Sequence, residues 1–283
     1  MNISILKPCG FCAGVQRVMD LIEQICLSHP NQNIYCLGQV VHNNYVNEEL
    51  KKKGIIITSS NKDEALNQIS SGVVIFSAHG TDQKLVQKAI NKNLIVYNTI
   101  CPFVQKEFSI INEKIKEGYH ILYIGVKNHD ETLAALSISE QITLIENEND
   151  LVSLNLKTNK IAVINQTTLP IDSLYNLHKK IKSIYPDSIF IDEICDSTRK
   201  RQNAIHSIDD DCDGLIIVGD QHSNNTKSLY KIAKDKGLAV IMVQEYNFLL
   251  QDWLKGKKNL LITSGASTSI KKVEEIYKII KNI

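Results

Sequence analysis

Short runs of β-branched and aliphatic residues recur along the chain, separated by longer amphipathic stretches. Ile3–Leu6, Ile34–Leu37, Ile55–Thr58, Val73–Phe76, Leu94–Tyr97 and Ile121–Ile124 read as strands. So do Ile142–Ile145, Ile161–Ile164, Ile189–Ile191, Leu215–Val218, Ala239–Val243 and Leu260–Thr263. Between them, segments such as Val15–Leu27, Gln83–Asn91, Val104–Lys116, Ile171–Ser183, Lys227–Lys236 and Lys271–Ile280 read as helices. Strands alternating with helices predict βαβ units, parallel sheets and an α/β fold. No long linker or low-complexity tract interrupts the pattern.

Cys12, Cys101 and Cys195 are spaced 89 and 94 residues apart, and each follows a strand and precedes a helix. The repeat predicts three α/β lobes of roughly 90 residues, an ordinary domain size. They span residues 14–98, 99–192 and 193–283, the last completed by residues 1–13. In open α/β sheets, ligands bind beyond the carboxyl ends of the strands. Three such lobes can direct those ends at one shared centre.

Composition narrows the function. Of 283 residues, 43% are hydrophobic and 22% charged, so the chain can bury a core. Net charge is +1, with 32 basic against 31 acidic residues, which excludes a general nucleic-acid binder and makes any anion site local. No apolar run reaches the roughly 18 residues of a membrane span, and the start lacks the features of a signal peptide. A cytoplasmic protein is expected, in which the seven cysteines are not disulfides.

Cys9-Gly-Phe-Cys12 is formally a CxxC, with no second half of a zinc pattern. Cys26, Cys36 and Cys212 read as apolar fillers. Cys12, Cys101 and Cys195 stand where a helix dipole stabilises a thiolate. Three such thiolates can hold a 4Fe–4S cluster and leave one iron open to substrate. His42, His79 and His129 each follow a strand, a placement that a surface or core histidine does not require. The loops Gly219–Thr226, Asn165–Thr168 and Ser264–Ser267 offer hydroxyls, amides and backbone N–H groups at helix starts. They serve either as a phosphate cradle or as plain N-caps. At least one of the three histidines is expected to be protonated and supply charge. Neither GxxxxGK[ST] nor GxGxxG is present. Two rivals from other classes are a zinc hydrolase built on His42, His79 and His129, and a non-catalytic iron–sulfur sensor that binds a partner or RNA.

The ordered set Gly10–Gly14, Val41–Asn43, Ser77–Gly80, Thr99–Pro102, His129–Glu131, Gln166–Thr168, Ile194-Cys195 with Arg201-Gln202, Ser223–Asn225 and Gly265–Ser267 resembles the 4-hydroxy-3-methylbut-2-enyl diphosphate reductase family. The resemblance covers almost the whole chain. It implies a three-lobed trefoil around a cluster ligated by Cys12, Cys101 and Cys195. It implies that His42, His79, His129, Ser223, Asn224, Asn225 and Ser267 surround the substrate diphosphate. Glu131 matches the proton donor, and Thr167 the residue beside the substrate hydroxyl. Reduced ferredoxin or flavodoxin is the implied electron donor, and isopentenyl and dimethylallyl diphosphates are the implied products. The match departs at Val126, Asn224, Ser269 and the basic run Arg199–Arg201. Asp130 is expected to face away from Glu131 if that stretch is extended.

Overall fold

The computed structural model describes residues 1–58, 61–152, 154–156 and 158–282. Among these, twelve strands succeed one another: β1 (Asn2–Ile5), β2 (Ile34–Leu37), β3 (Ile56–Ile57), β4 (Val73–Phe76), β5 (Ile95–Asn98), β6 (His120–Ile124), β7 (Ile142–Ile145), β8 (Ile161–Asn165), β9 (Ile189–Ile191), β10 (Gly214–Val218), β11 (Val240–Val243) and β12 (Asn259–Ser264). The helices are α1 (Ala13–Ser28), α2 (Asn44–Lys52), α3 (Lys62–Gln68), α4 (Gln83–Asn91), α5 (Pro102–Lys116), α6 (Asp130–Leu136), α7 (Asn149–Val152), α8 (Ile171–Ile184), α9 (Asp196–His206), α10 (Asn224–Asp235), α11 (Phe248–Trp253) and α12 (Ile270–Lys281).

The chain divides into two compact units. The first comprises Met1–Arg17, Val41–Lys52 and Asp196–Ile283, and the second Val18–Val40 and Lys53–Cys195. The first unit holds one four-stranded sheet in the order β1-β12-β10-β11. The second holds two, β3-β2-β4-β5 and β7-β6-β8-β9. Every pairing is parallel, as the alternation of strands and helices predicts.

The strands are apolar on both faces because two of the sheets are covered on both. In the first unit, Ile216 and Val218 pack with Val273, Ile276 and Ile280 of α12. Their neighbours Leu215 and Ile217 pack the opposite way, with Ile205 of α9 and Leu229 and Ile232 of α10. In the second unit, Ile121 and Tyr123 join Val104, Phe108 and Ile111 of α5, whereas Leu122 and Ile124 join Leu174, Leu177 and Ile181 of α8. Such double burial is the habit of parallel sheets.

The observed elements differ from the periodicity reading in detail. β3 keeps only Ile56 and Ile57 of the expected Ile55–Thr58. Helix α9 carries no apolar stripe, because its buried face is Thr198, Arg201, Gln202 and Ile205, three of them polar. Among the described residues, no helix is long and apolar enough to cross a membrane.

Candidate functional site

In the second unit, the loops after β4, β6 and β8 carry His79, His129 and Thr167, and they meet. The rings of His79 and His129 stand edge to face, 5.1 Å between centroids. Gly80, at φ +87°, lets the His79 loop lie on α5, since a Cβ there would sit 2.6 Å from the Phe108 ring. Cys101 opens α5 and its N–H donates to Ala78 O at 2.9 Å. Cys195 precedes α9, and its N–H donates to Thr167 O at 3.1 Å.

His129 caps α6, its Nδ1 accepting the Glu131 N–H at 3.2 Å. The same Nδ1 lies 3.1 Å from Gln166 Nε2. Which end of the Gln166 amide faces it is fixed by Oε1, which accepts the Val126 N–H at 3.0 Å. Nδ1 therefore receives two donors, and the ring proton belongs on Nε2. His129 so held is an Nε2–H donor in its neutral form. At the departure Val126, the backbone N–H supplies this contact and the side chain is exposed.

Glu131 has no exposed surface. Its Oε1 accepts the Thr167 N–H at 2.7 Å. Burial pushes its carboxyl above the ordinary 4.5, against the pull of the Thr167 N–H and hydroxyl. Asp130 points elsewhere, to Lys62 Nζ at 2.8 Å. The divergence has a different cause from the one expected: the two residues occupy the first turn of a helix, where neighbours differ by about 100°, and not an alternating strand.

In the first unit, the loops after β10 and β12 and residues 42–43 come together. Ser223 caps α10 and accepts the Thr226 N–H at 3.4 Å. Asn225 Oδ1 accepts the Ala266 N–H at 2.9 Å, and its Nδ2 donates to Thr198 Oγ1 at 3.4 Å. Asn224 Nδ2 is buried with no hydrogen-bond partner. Asn43 Nδ2 donates to Ser267 O at 2.8 Å, while Ser267 Oγ donates to His42 O at 3.4 Å. Gly265 admits this approach, since a Cβ there would fall 2.2 Å from Thr226 Oγ1. Ser267 does not head a helix as expected. Ser269 caps α12 instead, accepting the Lys272 N–H at 3.3 Å, because α12 starts only at Ile270.

Arg201, from the basic run, is 3% exposed and turned inward. Its Nη1 donates to Pro8 O and Ser264 O, both at 3.0 Å, and Nη2 to Gly10 O at 2.7 Å. The Cys12 N–H donates to Ala266 O at 3.0 Å, so the Cys12 loop is tied to the turn after β12. This charge organises backbone.

The seven cysteines are thiols, and none forms a disulfide. Burial raises Cys26 and Cys212, and lifts Cys36 to about 12. Burial also raises Cys9, whose thiol donates to Ser264 Oγ at 3.5 Å. These four suit structural roles. Cys12, Cys101 and Cys195 are partly exposed and stand immediately before or at the start of helices α1, α5 and α9. Cys12 Sγ accepts the Val15 N–H at 3.4 Å, which places the sulfur at the start of α1. This donor chemistry fits an iron–sulfur group.

The sequence named Gln166 and Arg201 only as parts of motifs, without their roles of orienting His129 and tying backbone, and it did not single out Glu107, buried on the apolar face of α5. An acidic residue in register with Val104, Phe108 and Ile111 is the signal that exposes the last.

Residues 3–281 match the family described as LytB protein. The 4-hydroxy-3-methylbut-2-enyl diphosphate reductase of Malacoplasma penetrans is 38% identical over 279 residues, 95% of this chain and 93% of that one. That of Bacillus licheniformis is 34% identical, covering 99% of this chain and 91% of its own. The solved E-1-hydroxy-2-methyl-but-2-enyl-4-diphosphate reductase from Plasmodium falciparum superposes with a TM-score of 0.92 at 31% identity, over 99% of this chain and 88% of that one. With near full-length relatives in sequence and a shared fold, the chain belongs to the LytB protein family, whose curated members above carry the name 4-hydroxy-3-methylbut-2-enyl diphosphate reductase.

Proposed function

We propose that this chain is a reductive dehydroxylase of 4-hydroxy-3-methylbut-2-enyl diphosphate, yielding isopentenyl and dimethylallyl diphosphates. A related solved protein, the (E)-4-hydroxy-3-methyl-but-2-enyl diphosphate reductase that is the terminal enzyme of the non-mevalonate pathway, shares 27% identity and a TM-score of 0.72 with this chain. The observation that carries the chemical reading is Glu131, a wholly buried carboxyl held by Thr167 and raised by burial into a form that can give up a proton. A hydroxyl leaving carbon must be protonated as its bond breaks, and such an acid contributes by orders of magnitude.

Cys12, Cys101 and Cys195 would hold a 4Fe–4S cluster, which would pass on two electrons, one at a time, from a reduced ferredoxin or flavodoxin and would supply Lewis acidity. With two protons, those electrons replace the C–O bond by C–H and release water. Glu131 provides the proton that leaves with the oxygen, and the Thr167 hydroxyl orients the substrate hydroxyl toward it. His129 offers Nε2–H to the diphosphate through the tautomer that Gln166 selects. His42, His79, Ser223, Asn224, Asn225 and Ser267 supply further donors. Reduced ferredoxin or flavodoxin is the class of electron donor.

The test is turnover of Glu131→Gln with full iron and sulfide content, prepared anaerobically. Its expected rate is down by about 10²-fold or more, the scale of general acid catalysis, with KM little changed. Asp130→Asn is expected to stay near normal. A near-normal rate for Glu131→Gln removes the proposed acid, and a colourless zinc protein without iron removes the reductase reading altogether.

A further inference from the structure

Glu107 is a buried carboxyl for which the mechanism above has no use. It stands on α5 among Val104, Phe108 and Ile111, and its relative exposure is 0%. Neither of its oxygens makes a fully aligned hydrogen bond, nor does Tyr123 Oη on β6 or Glu131 Oε2 on α6, although Glu107 lies within hydrogen-bonding reach of both Tyr123 and Glu131. These groups are nevertheless close enough to alter one another's ionisation. The Glu131 charge raises Glu107, the Glu107 charge raises Tyr123, and the Glu107 O–H lowers Glu131. Leaving buried polar atoms unpaired costs free energy, so four of them turned on one another within an apolar cluster call for an explanation.

The other charges that bear on Glu107 are few. Glu193, before Cys195, adds to the rise. Lys106 lies next in sequence but pairs outward with Glu193 at 3.2 Å. Burial is the largest effect on Glu107 and holds it neutral. Two buried carboxyls in reach of each other do not both ionise, and Glu131, with its Thr167 donors, is the one that ionises first.

We propose that Glu107 is a positioning residue for the acid, a neutral carboxyl whose O–H turns to Glu131 Oε2 when Glu131 gives up its proton. The Glu131 carboxylate is then held on both oxygens, Oε1 by Thr167 and Oε2 by Glu107. One proton moves in the step, from Glu131 to the leaving oxygen; Glu107 keeps its own as a donor, and the Tyr123 hydroxyl orients it. This rests on Glu131 being the acid.

The experiment compares Glu107→Gln, Glu107→Leu and Glu131→Gln in the cluster-replete enzyme, with kcat and KM measured across pH. Glutamine keeps a neutral donor, so Glu107→Gln is expected within about threefold of the parent, its alkaline limb unmoved. Leucine fills similar space without a donor. Glu107→Leu is expected to lose about tenfold or more in kcat at unchanged KM, the effect of one donor to a charged group. Its alkaline limb is expected to move to higher pH, because the Glu131 carboxylate has lost a partner. Parental kcat and limb in Glu107→Leu overturn the proposal and leave Glu107 as packing. A limb moved to lower pH in Glu107→Gln also overturns it, since that marks an ionised neighbour removed; this variant decides even where leucine impairs folding. Near-normal Glu131→Gln overturns both this inference and the reading it rests on, whereas a dead Glu131→Gln beside a parental Glu107→Leu overturns this one alone.

Discussion

Asn224 and Asn225 are adjacent amides with different commitments. Asn225 engages both ends, with Ala266 and Thr198, whereas Asn224 Nδ2 is buried and unengaged. A buried donor in that condition suits an incoming anion at the start of α10, where the helix dipole also favours negative charge. Asn224→Ala is therefore expected to raise KM for the diphosphate substrate about tenfold, the worth of a hydrogen bond to a charged group, at unchanged melting temperature. Asn225→Ala is expected to lower the melting temperature as well, because it frees the turn after β12. Steady-state kinetics and thermal melts of the two variants check this. Equal KM in Asn224→Ala and parent would leave that amide outside the cradle.

At the scale of elements, α10 and α12 begin alike but do different things. Ser223 and Ser269 are both caps, and losing such a cap costs about 1 kcal/mol of stability. Ser269→Ala is expected to show that loss and nothing else. Ser223→Ala is expected to show it together with a raised KM, since Ser223 stands beside Asn224; urea melts and kinetics separate the two cases. Much of this layer was legible beforehand. The continuous apolar runs marked all twelve strands within a residue or two, and α4 came out with the expected ends, Gln83 and Asn91. Helix α9 was not legible by periodicity, because its inner face buries Thr198, Arg201 and Gln202 and ties from Arg201 to backbone replace apolar contacts there. The basic run Arg199–Arg201 stood out in the sequence only as a departure, and packing shows that its Arg201 is a backbone clasp. Glu107 escaped because a lone acid in a helix is usually solvated, and only packing reveals where it points.

Across the whole molecule, two buried carboxyls set a direction for stability against pH. Glu107 and Glu131 both titrate above their ordinary 4.5 when folded. Their stabilising effect is full below the ordinary value and is lost as pH rises through the folded ones. Melting temperature is expected to decline as pH rises above the ordinary carboxylate value, and Glu107→Gln is expected to flatten that decline by removing the group with the larger rise. A parental slope in Glu107→Gln would assign the decline to other groups. Iron content offers a second global measurement: Cys12→Ser, Cys101→Ser or Cys195→Ser is expected to lose iron and activity, whereas Cys36→Ser retains both.

The pairing of β1 with β12 carries a consequence for biogenesis. Asn2–Ile5 lie against Asn259–Ile262, roughly 250 residues later, whereas the second unit is complete at Cys195. At a ribosomal pace of about 5–20 residues per second, β1 waits tens of seconds for its partner. The Cys12 loop, anchored to Ala266 and through Arg201 to Ser264, waits with it. Cys12 is the first of the three thiols to leave the ribosome and the last to reach its folded setting. A nascent chain stalled before β12 should accordingly leave Cys12 open to alkylation while Cys101 and Cys195 already sit in folded surroundings.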